Sequence, residues 1–288
     1  MYFSRVRMRP GLSEISELTR ILNNNSHGVH RLLWKLFPDQ MQRSFLYREE
    51  IAREQLGVLP GVRGEPIYYL VSQNRPVVAE NSIFEIETKA YQPRLEIGQS
   101  LNFECRVNPV IAKKGKKHDV LMNAQLTFLM SLIKGCNLEG SLADNLKKKD
   151  YKQILMYRGG DVLSRLLTKE LTADPRYSDR LDQVSNLSDK LDWAIKGKID
   201  TALGNWFKKQ GKRCGFISAM DGYGLSKLQN TAYRWHALPE KAKNAGFSSV
   251  DLAGEIQVTD VELFKKALYC GIGRSKAFGC GLMIVQRV

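Results

Sequence analysis

Cysteine is scarce in this chain and follows no pattern. Its 288 residues hold five, Cys105, Cys136, Cys214, Cys270 and Cys280, an odd number in which no two stand as Cys-x-x-Cys. That spacing argues against a disulfide framework and a zinc site, and it points to a reducing cytoplasm. Long apolar runs are missing too: no stretch approaches the roughly eighteen uncharged apolar residues of a membrane span. Residues 1–9 alternate basic and apolar side chains without a continuous apolar segment, so no signal peptide and no membrane partner are expected. Acidic side chains are the third shortage. Thirty Asp and Glu face 44 Lys and Arg, a formal charge of +14. Residues 1–100 carry 13 basic and 11 acidic side chains, a net of +2, so residues 101–288 hold the other +12. Such an excess suits a polyanionic partner, nucleic acid before a membrane surface.

What is present is enough to fold. A hydrophobic share of 43% supports buried cores, and the length suits two domains of modest size. Tyr2–Met8 alternates with period two, as a half-buried strand does. Asn23-Asn24-Asn25-Ser26 offers helix caps, and Val29, Leu32, Leu33, Leu36 and Phe37 then form one apolar helix stripe ended by Pro38. Strand-like runs follow at 44–48, 66–72 and 83–88. A second half opens near Gly98 with the alternating Leu101–Val107, stopped by Asn108-Pro109 and followed by a basic loop, Lys113-Lys114-Gly115-Lys116-Lys117-His118. At the far end, 250–258 reads as a strand, Asp260 as the cap of a helix through Tyr269, and 282–285 as a closing strand. Each half therefore reads as ferredoxin-like, an α+β arrangement. The expected domains are 1–97 and 98–288. The pattern over 120–210 is mostly helical, and a ferredoxin-like half takes one helix there, so about 135–195 is expected to be a helical insertion. Its Lys147-Lys148-Lys149 run reads as a solvated helix end.

Two stretches carry chemistry. In the first, if Val29, Leu33 and Leu36 face the core, about 100° per residue puts His27, His30, Arg31, Trp34 and Lys35 on the other side. Half of the four histidines thus share one exposed turn with two cations. Cleaving RNA through its own 2′-OH needs a base, an acid and positive charge near the phosphorane. Histidine, with an unperturbed pKa of about 6.5, suits either proton role, and Lys or Arg supplies the charge. The same pair also fits an ordinary helix surface or half a metal site. The second stretch is Gly271-Ile272-Gly273-Arg274-Ser275-Lys276-Ala277-Phe278-Gly279-Cys280-Gly281, whose glycines let backbone amides approach phosphates. It lacks the spacing of a Walker A loop, and it follows a helix near the chain end, where no βαβ unit can begin. It also fits a tight helix-to-strand connection.

Together these stretches resemble the CRISPR repeat endoribonuclease family of the Cascade complex, the CasE type. His30-Arg31-Leu32-Leu33-Trp34-Lys35-Leu36-Phe37-Pro38 is similar to the family's histidine-bearing first helix. Phe103–Pro109 resembles its Arg-x-Asn-Pro strand end, with a basic loop after it, and Gly271–Leu282 resembles its glycine-rich loop. The resemblance covers both halves but not 135–195. It implies tandem ferredoxin-like, RNA-recognition-motif-like domains, and cleavage of precursor CRISPR RNA at the 3′ base of the repeat hairpin with a 2′,3′-cyclic phosphate left behind. It further implies continued binding of the product crRNA beside other Cascade subunits. No cofactor or metal is expected, since neither stretch offers a carboxylate cluster for a hard cation. His30 falls on the family's catalytic histidine and Lys35 on a lysine near the scissile phosphate. His27 stands where a tyrosine is frequent, which leaves the acid and base roles of the two histidines open. Expected RNA contacts are Arg31, Arg106, Lys113, Lys114, Lys116, Lys117, Gly271, Gly273, Arg274, Lys276, Gly279 and Gly281. A non-catalytic RNA-binding scaffold of the same fold is the rival, since a pure binder needs no imidazole pair. A helix-in-groove DNA regulator lacks helix-turn-helix spacing.

Overall fold

The structure, a computed structural model, describes residues 1–8, 28–51, 66–78, 82–113, 115–141, 146–184, 186–238 and 245–288. Asn23–Ser26, His27 and Lys114 lie outside the described residues. The chain forms two compact units, one of Met1–Pro109 with Lys208–Val288 and the other of Val110–Phe207.

The first unit holds two antiparallel sheets. Strands β1 (Tyr2–Met8), β2 (Phe45–Ile51), β3 (Pro66–Ser72) and β4 (Phe84–Ala90) run in the order β2-β3-β1-β4. The other sheet combines β5 (Ser100–Val107), β8 (Phe216–Ser218), β10 (Gly246–Val258) and β11 (Met283–Arg287) in the order β11-β5-β10-β8, with β9 (Gln229–Ala237) added on β10. Within each half the order is therefore second, third, first, fourth strand. That is the ferredoxin-like order, found twice, as the strand pattern leads one to expect. Among the described residues between β3 and β4, 73–78 and 82–83, none is helical, so the second helix of the ideal unit is not seen there.

Helix α1 (Gly28–Trp34) spans seven residues, too few to hold by themselves. It is held by what it buries: Leu32 and Leu33, then Leu36 and Phe37 from the turn behind it, lie on Val6, Phe45, Tyr47, Tyr68, Leu70 and Phe84. Each such side chain contributes about 1.5–3 kcal/mol on full burial. The opposite face of the sheet packs Leu46 and Val71 against Leu282, with Phe3, Tyr69 and Tyr269 at the margin. Polar links cross there too. Arg48 pairs with Glu104 at 3.1 Å, and Arg106 donates to the Glu49 carbonyl at 3.1 Å. At the far end α6 (Val261–Cys270) is capped by Asp260, which accepts from the Leu263 amide at 2.9 Å.

The second unit begins with a two-stranded hairpin, β6 (Val110–Lys113) and β7 (Lys116–Asp119), where the sequence suggests a loop. Gly115, at φ 74°, supplies the left-handed turn that such a short connection requires. Helices α2 (Val120–Gly135), α3 (Lys148–Arg158) and α4 (Gly160–Thr172) follow, then α5 (Leu187–Cys214), which belongs to this unit as far as Phe207. Phe128, Leu129, Leu132, Leu155, Leu163, Leu167, Leu191 and Ile195 give this unit a core of its own. The helices over about 135–195 thus lie within a packed unit that spans Val110–Phe207. Lys148 opens α3, so the lysine run does lie at a helix end.

Candidate active site

Strand β2 is the edge of the first sheet, and three parts of the chain meet on it. The first is α1. The imidazole of His30 stacks on Phe45 with centroids 5.5 Å apart and planes 26° apart, and meets Trp34 edge-on at 5.3 Å. The helix stripe alone places His30 on an exposed face. The structure makes it half-buried, because Phe45 and Tyr47 rise from β2 beneath that turn of helix. Arg31 and Lys35 are exposed as expected, Lys35 in the turn after the helix ends.

The second part is the glycine-rich stretch. Gly271, Gly273, Gly279 and Gly281 all have positive φ, as does Ser275 at 56°. At Gly279, φ 76°, a Cβ would stand 3.1 Å from the Tyr47 ring, and at Gly281 it would stand 2.8 Å from the Ile272 carbonyl oxygen. These glycines are thus accounted for by backbone conformation and internal crowding. Lys276 donates from Nζ to the Cys270 carbonyl at 2.5 Å, and burial together with the nearby Arg43 guanidinium pushes its ammonium pKa down. Arg43 is a cation that the sequence motifs do not flag. Arg274 lies in the same loop.

The third part is the Arg-x-Asn-Pro strand end, where Arg106 is the expected RNA contact. Arg106 is only 8% exposed. Its Nε and Nη2 donate to the two carboxylate oxygens of Asp251 at 2.6 and 2.9 Å, and its Nη1 to Glu49. Burial acts to raise the Asp251 carboxyl pKa, but the hydrogen bonds and charge of Arg106, joined by Arg48 and Arg234, together hold it below its usual value. Arg106 therefore binds β5, β10 and β2 to one another rather than standing open to a phosphate. Its carbonyl accepts from the Gly281 amide at 2.7 Å, and Asn108 donates to the Ser275 hydroxyl at 2.6 Å, so the motif anchors the loop from below.

On the loop's other flank, Phe278 lies 4.8 Å from Phe247, which stacks on His236 at 4.6 Å and 12°. Burial and then Arg106 and Arg234 lower the pKa of His236, whose Nε2 lies 2.7 Å from the Ser249 hydroxyl. No sequence motif marks this stack. Lys113, Lys116 and Lys117 belong to the hairpin of the second unit, with Lys113 opposite Lys116 and an exposed Lys117 opposite Ala112. Among the described residues no group of three or more His, Cys, Asp or Glu side chains could hold a metal ion, and no helix is long and apolar enough to cross a membrane.

The family profile described as "CRISPR associated protein" matches residues 1–287. The chain belongs to this CRISPR-associated family. A search of curated proteins finds no match. Among solved structures, the CRISPR endoribonuclease Cse3 bound to a 19-nucleotide RNA is 18% identical at a TM-score of 0.59, covering 99% of this chain and 100% of that one. Thermus thermophilus Cse3, bound to an RNA representing a pre-cleavage complex, is 18% identical at 0.57, with 99% and 98% covered. Cas6e from Escherichia coli K-12 is 16% identical at 0.50, with all of both chains covered. At these identities the likeness shows a shared fold, with tandem ferredoxin-like sheets.

Proposed function

We propose that this protein is a metal-independent endoribonuclease that binds the CRISPR repeat hairpin and cuts precursor crRNA at its 3′ base. The observation that carries this reading is the meeting, on one edge strand, of an imidazole from residue 30 with a glycine-rich, lysine-bearing loop from residues 271–281. Family membership and a fold shared with RNA-bound endoribonucleases support it. In the cut, the 2′-OH attacks the adjacent phosphorus, the 5′-oxygen leaves, and a 2′,3′-cyclic phosphate remains. His30 carries a proton in one direction and His27 in the other, while Lys35, Arg31 and Lys276 offset charge that develops on the phosphorane. The positive-φ backbone around Gly273 and Ser275 suits close approach of a phosphate. The protein then stays on its crRNA beside other Cascade subunits.

The direct test is cleavage of the repeat RNA in EDTA. Cutting at the wild-type rate is expected, and a 2′-deoxy residue just upstream of the cut should stop it. Loss of activity in EDTA that Mg²⁺ or Mn²⁺ restores would refute the imidazole mechanism, and so would continued cutting of the 2′-deoxy substrate.

The basic hairpin makes a separate prediction about binding. Each neutralised phosphate releases counterions, so log affinity should fall with log salt by about 0.7–0.9 per contact. Replacing Lys113, Lys114, Lys116 and Lys117 together with Gln should weaken hairpin binding and flatten that slope by two or more contacts' worth. Affinity and slope that both stay at wild-type values would show a solvated hairpin with no part in binding.

A further inference from the structure

The geometry points to Tyr47 as a positioning residue that sets the glycine-rich loop at a fixed distance from the His30 imidazole. This inference rests on the endoribonuclease reading above and adds a residue that no sequence motif singles out.

Tyr47 lies two residues after Phe45 on β2, so both side chains rise from the same face of the strand about 7 Å apart. Phe45 lies against the imidazole. Tyr47 reaches the loop: its phenol donates to the Ala277 carbonyl at 3.1 Å, and its ring is the surface that a Cβ at Gly279 would touch. The ring is also 6.4 Å from His30 and tilted by 32°. One short stretch of strand therefore carries both supports, although His30 and Ala277 are 247 positions apart in sequence. Tyr47 is 3% exposed and packed in the α1 core, so its ring cannot swing away without opening that core. Burial, followed by the Glu49 carboxylate, raises the phenol pKa, so the hydroxyl stays a donor. A neutral donor aimed at a loop carbonyl has no proton to give to the reaction. Its effect is on where the loop sits, and a loop misplaced by about 1 Å can cost a hundred-fold in rate.

The test uses the full chain with Tyr47→Phe, which keeps the ring and removes only the hydroxyl. Three measurements are made: single-turnover cleavage at saturating protein, equilibrium binding of the repeat hairpin, and hydrogen exchange of the Phe278 and Cys280 amides without RNA. Both amides donate to the Ser275 carbonyl, so they report whether the loop turn is closed. The maximal rate is expected to fall about ten-fold, with affinity and melting temperature near wild type and protection of both amides reduced. In a His30→Ala background the same change should lower the remaining rate by clearly less than about ten-fold, because Tyr47 acts chiefly by holding the loop against that imidazole. A purely structural role would instead scale both rates down together with the folded fraction. Unchanged cleavage with unchanged amide protection would overturn the inference, as would an equal loss in both backgrounds. Should the wild-type protein fail to cut RNA at all, the functional reading fails separately, and amide protection alone then decides whether Tyr47 holds the loop.

Discussion

Replacing His30 with Ala is expected to slow cleavage by about 10²–10⁴-fold, the usual contribution of a general acid or base. Binding of the hairpin should survive, because affinity for a folded RNA is spread over many phosphates and one imidazole adds little. The structure adds a complication. His30 is stacked on Phe45 and edge-on to Trp34, so the truncation also leaves a gap over β2. His30→Phe separates the two effects, since it keeps a ring in the stack and removes the proton carrier. It should be as slow as His30→Ala while melting closer to wild type. Single-turnover rates, Kd and Tm on the two variants are the measurements. A near-normal rate in either variant would remove His30 from the chemistry. His27→Ala should cost less, and if it costs more, His27 is the main proton carrier and His30 the lesser.

Much of the fold can be read from residue pattern. Period-two runs such as Tyr2–Met8 and Leu101–Val107 are strands, Asp260 caps its helix, and the duplicated strand, helix, strand order is the duplicated sheet order. Those signals are local: each depends on neighbours within a few positions. What the pattern does not reveal is set by contacts between distant segments. A helix wheel ranks His30 by its own turn and has no knowledge of Phe45 arriving beneath it, so an exposed face becomes a half-buried one. Arg106 reads as a cation on a basic stretch, yet Asp251, 145 positions away, takes two of its nitrogens. The lysine run at 113–117 looks like a loop because Lys and Gly disfavour strands, while pairing of Val110–Lys113 with Lys116–Asp119 makes it a hairpin. Tyr47 carries no motif at all. Its importance lies in a hydrogen bond to residue 277 that only the folded chain creates.

The glycine-rich loop can be tested at the position where its conformation and its packing coincide. Gly279 sits at φ 76° and ψ 15°, a left-handed backbone that a β-branched residue rarely adopts. A side chain there also begins 3.1 Å from the Tyr47 ring, which is locked in the α1 core and cannot retreat. Gly279→Val should therefore displace the 276–278 turn, and cleavage is expected to fall by about a hundred-fold, the loss that a 1 Å misplacement can bring. The left-handed conformation alone costs a residue with a Cβ roughly 1–2 kcal/mol, so a lower Tm should accompany the change. Gly279→Asn divides the two causes, because Asn tolerates left-handed backbone while still bringing a Cβ to Tyr47. A slow Asn variant with a near-normal Tm would mean that contact with Tyr47 sets the rate. A fast Asn variant beside a slow Val variant would place the whole effect in the backbone. A Val protein that folds, binds the hairpin and cuts it at the wild-type rate would reduce residues 271–281 to a connection between α6 and β11, and the catalytic role assigned to the loop would fall with it.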